Sequence, residues 1–149
     1  MKLETNNKKV DLVFRTKNIV KVTKKLQGKN FEELYFNAVS ENNVEALAEI
    51  ILIFAEDVNS GLPAFKNSDE VYDFIDDYME QSNKTYHDIF EIIAESINDM
   101  GFFSKKMTAE ELREKMKNHM SIDMNEIVRS SAEKAITKVA EQEFRGYKG

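Results

Sequence analysis

The sequence contains no cysteine and no tryptophan, a single proline and only five glycines. Without cysteine the chain can form no disulfide, no cysteine-ligated zinc site and no thiol nucleophile. The five glycines are scattered, so the chain has no glycine-rich loop of the kind that cradles phosphates. A nucleophile motif such as G-x-S-x-G is also missing. These absences exclude several common classes of enzyme.

Long apolar runs are missing as well. The longest, over residues 46–55 of the stretch EALAEIILIFAED, contains Glu49 and is far shorter than the roughly 18–20 residues that cross a membrane. The first residues, MKLETNNKKVDLVF, contain no apolar segment of signal-peptide length. We therefore expect a soluble cytoplasmic protein that does not enter a membrane.

Charge is abundant and unevenly distributed along the chain. Residues 1–30 carry nine basic and two acidic side chains, and residues 31–103 carry two basic and seventeen acidic ones. Residues 104–149 are nearly balanced, and the 149 residues together have a net charge of −6. Such polarity favours head-to-tail contact between copies or contact with a charged partner. The alternative is that the basic and acidic segments simply neighbour each other within one fold.

Periodicity predicts a mainly α protein, a helical bundle of about six to seven helices with a small N-terminal β-hairpin. The hairpin pairs residues 2–5 with 10–14 across the turn Asn6-Asn7-Lys8. Apolar residues at i, i+3 and i+4 and capping residues before them indicate the helices. The predicted helices begin near Thr16, Asn30, Asn43, Asn67, Lys84, Thr108 and Asp123. A composition shift divides the chain into a core domain, 1–103, and a C-terminal helical extension or arm, 104–149.

The helix predicted over EALAEIILIFAED is apolar on more than one side, because Ile50 and Ile53 lie off its main apolar face. Either it is the central helix of the bundle, or its second side meets another copy or a client protein. Large apolar residues near the proline loop and at a later helix end could join such a contact. The candidate partner or self-association surface is Ile50, Ile53, Leu62, Phe65, Phe102 and Phe103.

Residues suited to catalysis or metal binding form no recognisable pattern. His87 and Glu91 lie one helical turn apart, but no third ligand follows at a suitable spacing. The carboxylates of the helix predicted after Asn67 lie opposite its apolar stripe, as on a solvated face, and do not form a calcium loop. We expect no catalytic residue, no cofactor and no metal, and hence no enzyme.

The basic stretch 15–29 and the helix after it also fit a helix-turn-helix unit, which would make the protein a DNA-binding regulator from a mobile element. The second helix of such a unit reads the bases. Here it carries Glu32, Glu33 and Glu41 and no lysine or arginine, so it would repel phosphates. Nucleic-acid binding is therefore the weaker alternative.

The order of features over about residues 1–100 resembles the tail assembly chaperones of phages with long non-contractile tails, in the version found in phages and prophages of Gram-positive bacteria. The likeness rests on the hairpin MKLETNNKKVDLVF, a helix starting RTKNI, the helix EALAEIILIFAED, a proline-containing loop, and the helices SDEVYDFIDDY and IFEIIAESIND, in that order. The composition, with 17 lysines, 13 asparagines and 4 arginines, is compatible with an AT-rich genome.

This resemblance implies a non-enzymatic chaperone of viral morphogenesis that works in the host bacterial cytoplasm and is absent from the mature virion. It would bind the tape measure protein, keep it soluble and promote tail tube assembly around it, with the major tail tube protein as a further partner. It also implies a homo-oligomer, for which the charge distribution suggests a head-to-tail arrangement. Residues 104–149 depart from the shorter members of the family, which have no fixed motif from which binding residues could be transferred.

Overall fold

The computed structural model describes residues 1–117, and most of them are helical. The elements are β1 (Lys2–Glu4), β2 (Lys9–Leu12), α1 (Thr16–Lys25), α2 (Phe31–Glu41), α3 (Val44–Phe54), β3 (Ala55–Asp57), α4 (Ser68–Ser82) and α5 (Tyr86–Met100). A further helix, α6, begins at residue 109 and continues to residue 117. The mainly α fold with a small N-terminal hairpin is confirmed.

The predicted capping residues begin most of the helices. At each cap a side-chain oxygen accepts a hydrogen bond from the backbone N–H three residues later, which satisfies a donor that the helix leaves free. The predicted caps with this bond are Asn30, Asn43, Asn67 and Thr108, and Thr85 caps the helix that was predicted to begin near Lys84. Thr16 differs from the prediction, because it is the first residue of α1, and Arg15 at the cap position makes no side-chain hydrogen bond to the helix.

The sheet has three antiparallel strands in the order β1-β2-β3, and the third was not predicted. The helix expected to reach about residue 57 ends at Phe54, and the chain continues directly as β3. Pairing with β2, which places Leu12 opposite Ala55, holds these residues extended. The outer side of β3 is bridged by the proline loop through Glu56 and Pro63. A long-range partner thus overrides the local helical pattern.

Helix α3 is the central helix, as one of the two interpretations of its sequence predicted. It packs against α1, α2, α4 and β2. Six of its residues are buried, namely Ala46, Leu47, Ala48, Ile50, Ile51 and Phe54. Neighbours on several sides therefore explain why this short helix is apolar around most of its circumference.

A second part of the core is aromatic and joins α2 to α5. The Tyr35 hydroxyl donates a hydrogen bond of 2.5 Å to the backbone oxygen of Phe90, and the rings of these two residues meet edge to face. Phe103, just beyond α5, packs against Phe36 with ring centroids 5.2 Å apart. Burial of this cluster fixes α2 between α3 and the chain that follows α5.

The turn between α1 and α2 has a glycine for reasons of space. Gln27, with φ of 58°, takes the left-handed conformation that ends α1, and Gly28 N–H donates to the Thr23 oxygen. A β-carbon at Gly28 would lie only 2.5 Å from Leu34 Cδ1. The missing side chain of Gly28 therefore lets α2 approach closely.

Residues 104–116 belong to the same compact unit, which spans Met1–Met116. Leu112 and Met116 on α6 are buried, and the Lys115 amine donates to Glu32 on α2 at 2.8 Å. The predicted boundary after residue 103 therefore falls inside this unit. Residues 118–149, with the helix predicted from Asp123 and the rest of the proposed arm, lie outside the described residues.

Candidate interaction surface

The structure separates the six residues of the candidate surface. Ile50, Phe65 and Phe103 are buried in the core, so they contribute to no exposed face in this conformation. Ile53 and Phe102 are partly exposed, and Leu62 is the most exposed of the six at 64%. The prediction grouped residues by hydrophobicity alone, whereas the fold buries three of them.

Leu62 lies at the tip of the loop between β3 and α4. This loop is well defined, because the Asp57 carboxylate accepts hydrogen bonds from the backbone N–H of Asn59 and of Ser60. Those hydrogen bonds lower the pKa of Asp57 below its ordinary value. Val58, which is 38% exposed, lies in the same loop. Two apolar side chains are therefore held in water by an ordered loop, and we call this pair the Leu62 tip.

A second apolar exposure lies where the end of α5 meets β2. Met100 is 60% exposed and borders a groove of about 280 Å3. Other residues along the groove include Met1, Asp11, Val13, Phe14 and Asp99. The flexible thioether of methionine adapts to partners of different shape. We call this feature the Met100 groove, and it can take an apolar side chain of a partner.

Sequence reasoning found Leu62 but missed Val58 and Met100 as exposed residues. Met100 continues the apolar stripe of α5, and the pattern alone therefore places it in the core. Val58 directly follows a stretch that was expected to be helical, so the pattern did not identify it as a loop residue. The exposure of Met100 could have been inferred from its position directly before Gly101. Gly101 takes the left-handed conformation that ends α5, so Met100 is the last residue of the helix.

Charged side chains dominate the outer faces of α1 and α4. On α1 the exposed lysines are Lys17, Lys21, Lys24 and Lys25. On α4 the acidic side chains are Asp69, Glu70, Asp73, Asp76, Asp77 and Glu80, of which only Asp77 is partly covered. These acids lie opposite the buried Val71, Phe74 and Ile75, as the sequence pattern predicted.

Between residues 1 and 117 no group of three or more histidine or acidic side chains is placed to hold a metal ion. His87 and Glu91 are both partly exposed on α5. The same residues include no helix that is long and apolar enough to cross a membrane. What this surface presents is the Leu62 tip, the Met100 groove and two oppositely charged helix faces.

The surface therefore has the components of a protein-binding site: small apolar exposures within a charged exterior. No protein-family model matches the chain, and neither a curated protein nor a solved structure matches it.

Proposed function

We propose that the protein is a non-enzymatic tail assembly chaperone of a phage or prophage, which binds the tape measure protein and keeps it soluble. The feature that supports this most is the Leu62 tip, where an apolar side chain that is 64% exposed is presented by an ordered loop. A side chain held in this way is already shaped for a partner and loses little conformational freedom on binding.

The mechanism is reversible shielding. Apolar stripes of the helical client contact the Leu62 tip and the Met100 groove, at about 25 cal/mol per Å2 of apolar surface buried. Each contact is small, so a single copy binds weakly and releases easily. Many copies along one long client add up to strong binding. Release would then leave the client free for the tail tube protein to assemble around it in the host cytoplasm.

Co-expression with a coiled-coil fragment of a tape measure protein tests this function. The wild-type chain should raise the soluble fraction of the fragment and co-purify with it. The variant Leu62→Ser/Met100→Ser should lose most of this effect, because its two apolar contacts become polar. The matched control Leu62→Met/Met100→Leu keeps both positions apolar and should behave as wild type. If the wild-type chain changes neither solubility nor co-purification, the chaperone function is wrong.

The second candidate is a DNA-binding regulator, which the exposed lysines of α1 favour. Helix α2, which would have to read the bases, buries Phe31, Leu34 and four further residues and exposes Glu33 and Glu41. Phosphates would be repelled there. Fluorescence anisotropy with duplex DNA separates the two candidates: micromolar binding that weakens steeply with salt would favour the regulator.

A further inference from the structure

Helix α1 carries an unused stripe of positive charge. Lys17, Lys21 and Lys24 follow each other at steps of four and three residues, which places their side chains along one line roughly 10 Å long. All three are exposed, and none forms an ion pair with any residue of 1–117. The basic residues at the two ends of the helix differ, since Arg15 pairs with Glu56 and Lys25 with Glu49. We call the three free lysines the α1 stripe.

Helix α4 carries a matching stripe of negative charge. Its residues follow each other at steps of four, three and four positions, and are Asp69, Asp73, Asp76 and Glu80. The spacing is the same whether it is counted from the N-terminal or the C-terminal end of the helix. All four are exposed, and within the described residues none of their carboxylates forms an ion pair or a hydrogen bond. Because the steps equal those of the α1 stripe, three lysines can face three carboxylates when the two helices lie side by side. We call these four residues the α4 stripe.

A groove beside the α4 stripe is suited to lysine side chains. It has a volume of about 280 Å3, its floor includes the rings of Phe65 and Phe74, and Asp73 and Asp77 stand at its rim. The chain's own Lys8 already places its amine 5.2 Å above the Phe65 ring. An aromatic face attracts an ammonium group, and the methylene stem of a lysine packs on it. Lys8 therefore already covers the Phe65 ring, and what the groove offers a second copy is the carboxylates of Asp73 and Asp77 at its rim.

The two stripes of one molecule do not meet. Helices α1 and α4 both pack against α3, and the side chains of both stripes are exposed to solvent. We propose that a second copy of the chain binds here, with its α1 stripe lying along the α4 stripe of the first copy. The exposed Val20 borders the α1 stripe and supplies apolar contact within the same interface.

Such a contact joins two different surfaces and therefore leaves one stripe of each copy available for the next copy. The inference rests on the self-association expected of the proposed function and names the surfaces that carry it. Its test uses the chain alone, without a client, so its failure is distinguishable from failure of the chaperone function. A surface built on exposed charge pairs weakens when salt screens them.

The test reverses the charge of each stripe in turn and then mixes the two variants. The mass of the particles is measured by light scattering after gel filtration, over a range of protein and salt concentrations. Wild-type chain should associate, and less so at 0.5 M than at about 0.05 M salt. Lys17→Glu/Lys21→Glu should weaken association by about tenfold or more, and Asp73→Lys/Asp76→Lys should do the same. Mixing these two variants should restore association, because each brings the surface that the other lacks.

Two controls change the net charge equally at other exposed positions. Glu41→Lys/Glu95→Lys matches the aspartate reversal, and Lys105→Glu/Lys106→Glu matches the lysine reversal. Both should associate as wild type does. The proposal is overturned if the wild-type chain remains a monomer at high concentration, if the controls weaken association as much as the stripe variants, or if the mixture fails to associate. Circular dichroism of each variant establishes that it is folded before its mass is compared.

Discussion

The side-chain amide of Asn98 is paired with the backbone of Met107 at two points. Its Nδ2 donates to the Met107 oxygen at 2.7 Å, and its Oδ1 accepts from the Met107 N–H at 2.9 Å. Asn98 is only 5% exposed, so water cannot replace either bond. One side chain of α5 thereby holds the segment that leads into α6 against the core, as a neighbouring strand would.

Asn98→Ala should detach that segment. Both backbone groups of Met107 would lose their partner, which costs about 1–3 kcal/mol when the site stays buried. Hydrogen exchange should show faster exchange of the Met107 N–H and of the first turn of α6, while the N–H groups of α3 keep their protection. Asn83→Ala, at the exposed C-cap of α4, is the matched control. Unchanged exchange at Met107 would contradict the role given to Asn98.

Glu32 should make stability depend on pH through the same segment. Burial by itself raises the pKa of Glu32, but hydrogen bonds from Lys115 and Ser104 outweigh it and lower that pKa. Because the pKa is lowered in the folded state, the stabilisation is complete above the ordinary glutamate pKa. It is lost as the pH falls below that value and through the lowered pKa of the folded state. Glu32→Gln should therefore lower the urea midpoint at pH 7 and cost progressively less towards pH 3.

The neighbouring Glu33→Gln is the control for this measurement, because Glu33 is exposed in the same turn of α2 and its carboxylate forms no ion pair with the described residues. It should leave the midpoint nearly unchanged at both pH values. Equal effects of the two substitutions would assign the result to the helix end rather than to the contact with Lys115 and Ser104.

Gly28→Ala should be destabilising even though the backbone at this position is not left-handed. The added methyl group would lie 2.5 Å from Leu34 Cδ1 and 2.9 Å from Leu34 Cβ, so α1 or α2 has to move. Overpacking of this kind costs about 1–3 kcal/mol. Thermal unfolding measures the loss, and a double-mutant cycle with Leu34→Ala checks its cause. If steric overlap is responsible, Gly28→Ala costs less when residue 34 is alanine, because the contact with Cδ1 is removed and only that with Cβ remains.

Tyr35→Phe removes a buried hydroxyl that donates a hydrogen bond to the Phe90 oxygen, and should cost about 0.5–1.5 kcal/mol at neutral pH. Burial raises the pKa of Tyr35 well above its ordinary value. The unfolded chain therefore loses this proton near pH 10 while the folded chain keeps it, so stability falls as the pH rises above about 10. Unfolding by guanidinium from pH 8 to 11 should show a smaller decline for Tyr35→Phe than for wild type.

The sequence predicted those features that short segments determine by themselves. Asn30, Asn43 and Asn67 cap helices because a cap needs only its own side chain and the N–H groups just after it. The apolar stripe of α2 is buried for a similarly local reason, since its spacing matches one face of a helix. The hairpin also follows from residues that are close in sequence.

Features that depend on distant partners were not predicted. Strand β3 was assigned to a helix because its hydrogen bonds come from β2, more than forty residues earlier in the chain. Phe103 was assigned to the surface because its cover, the Phe36 ring, belongs to another helix. The role of Asn98 could not be predicted from the sequence. An asparagine next to apolar residues gives no indication that its amide will bind the backbone of Met107.

The direct passage from α3 into β3 fixes the length of the chain at that point. Phe54 ends the helix, Ala55 begins the strand, and both are buried, whereas Glu56 is partly exposed. One additional residue between Phe54 and Ala55 would turn every following side chain of the strand to the opposite face and move the buried Ala55 out of the core. Residues 59–61 are exposed and lie outside any strand, so an insertion there does not change which face of a strand a side chain occupies. An inserted peptide should therefore be accommodated at 59–61, whereas an insertion between Phe54 and Ala55 should disrupt the fold.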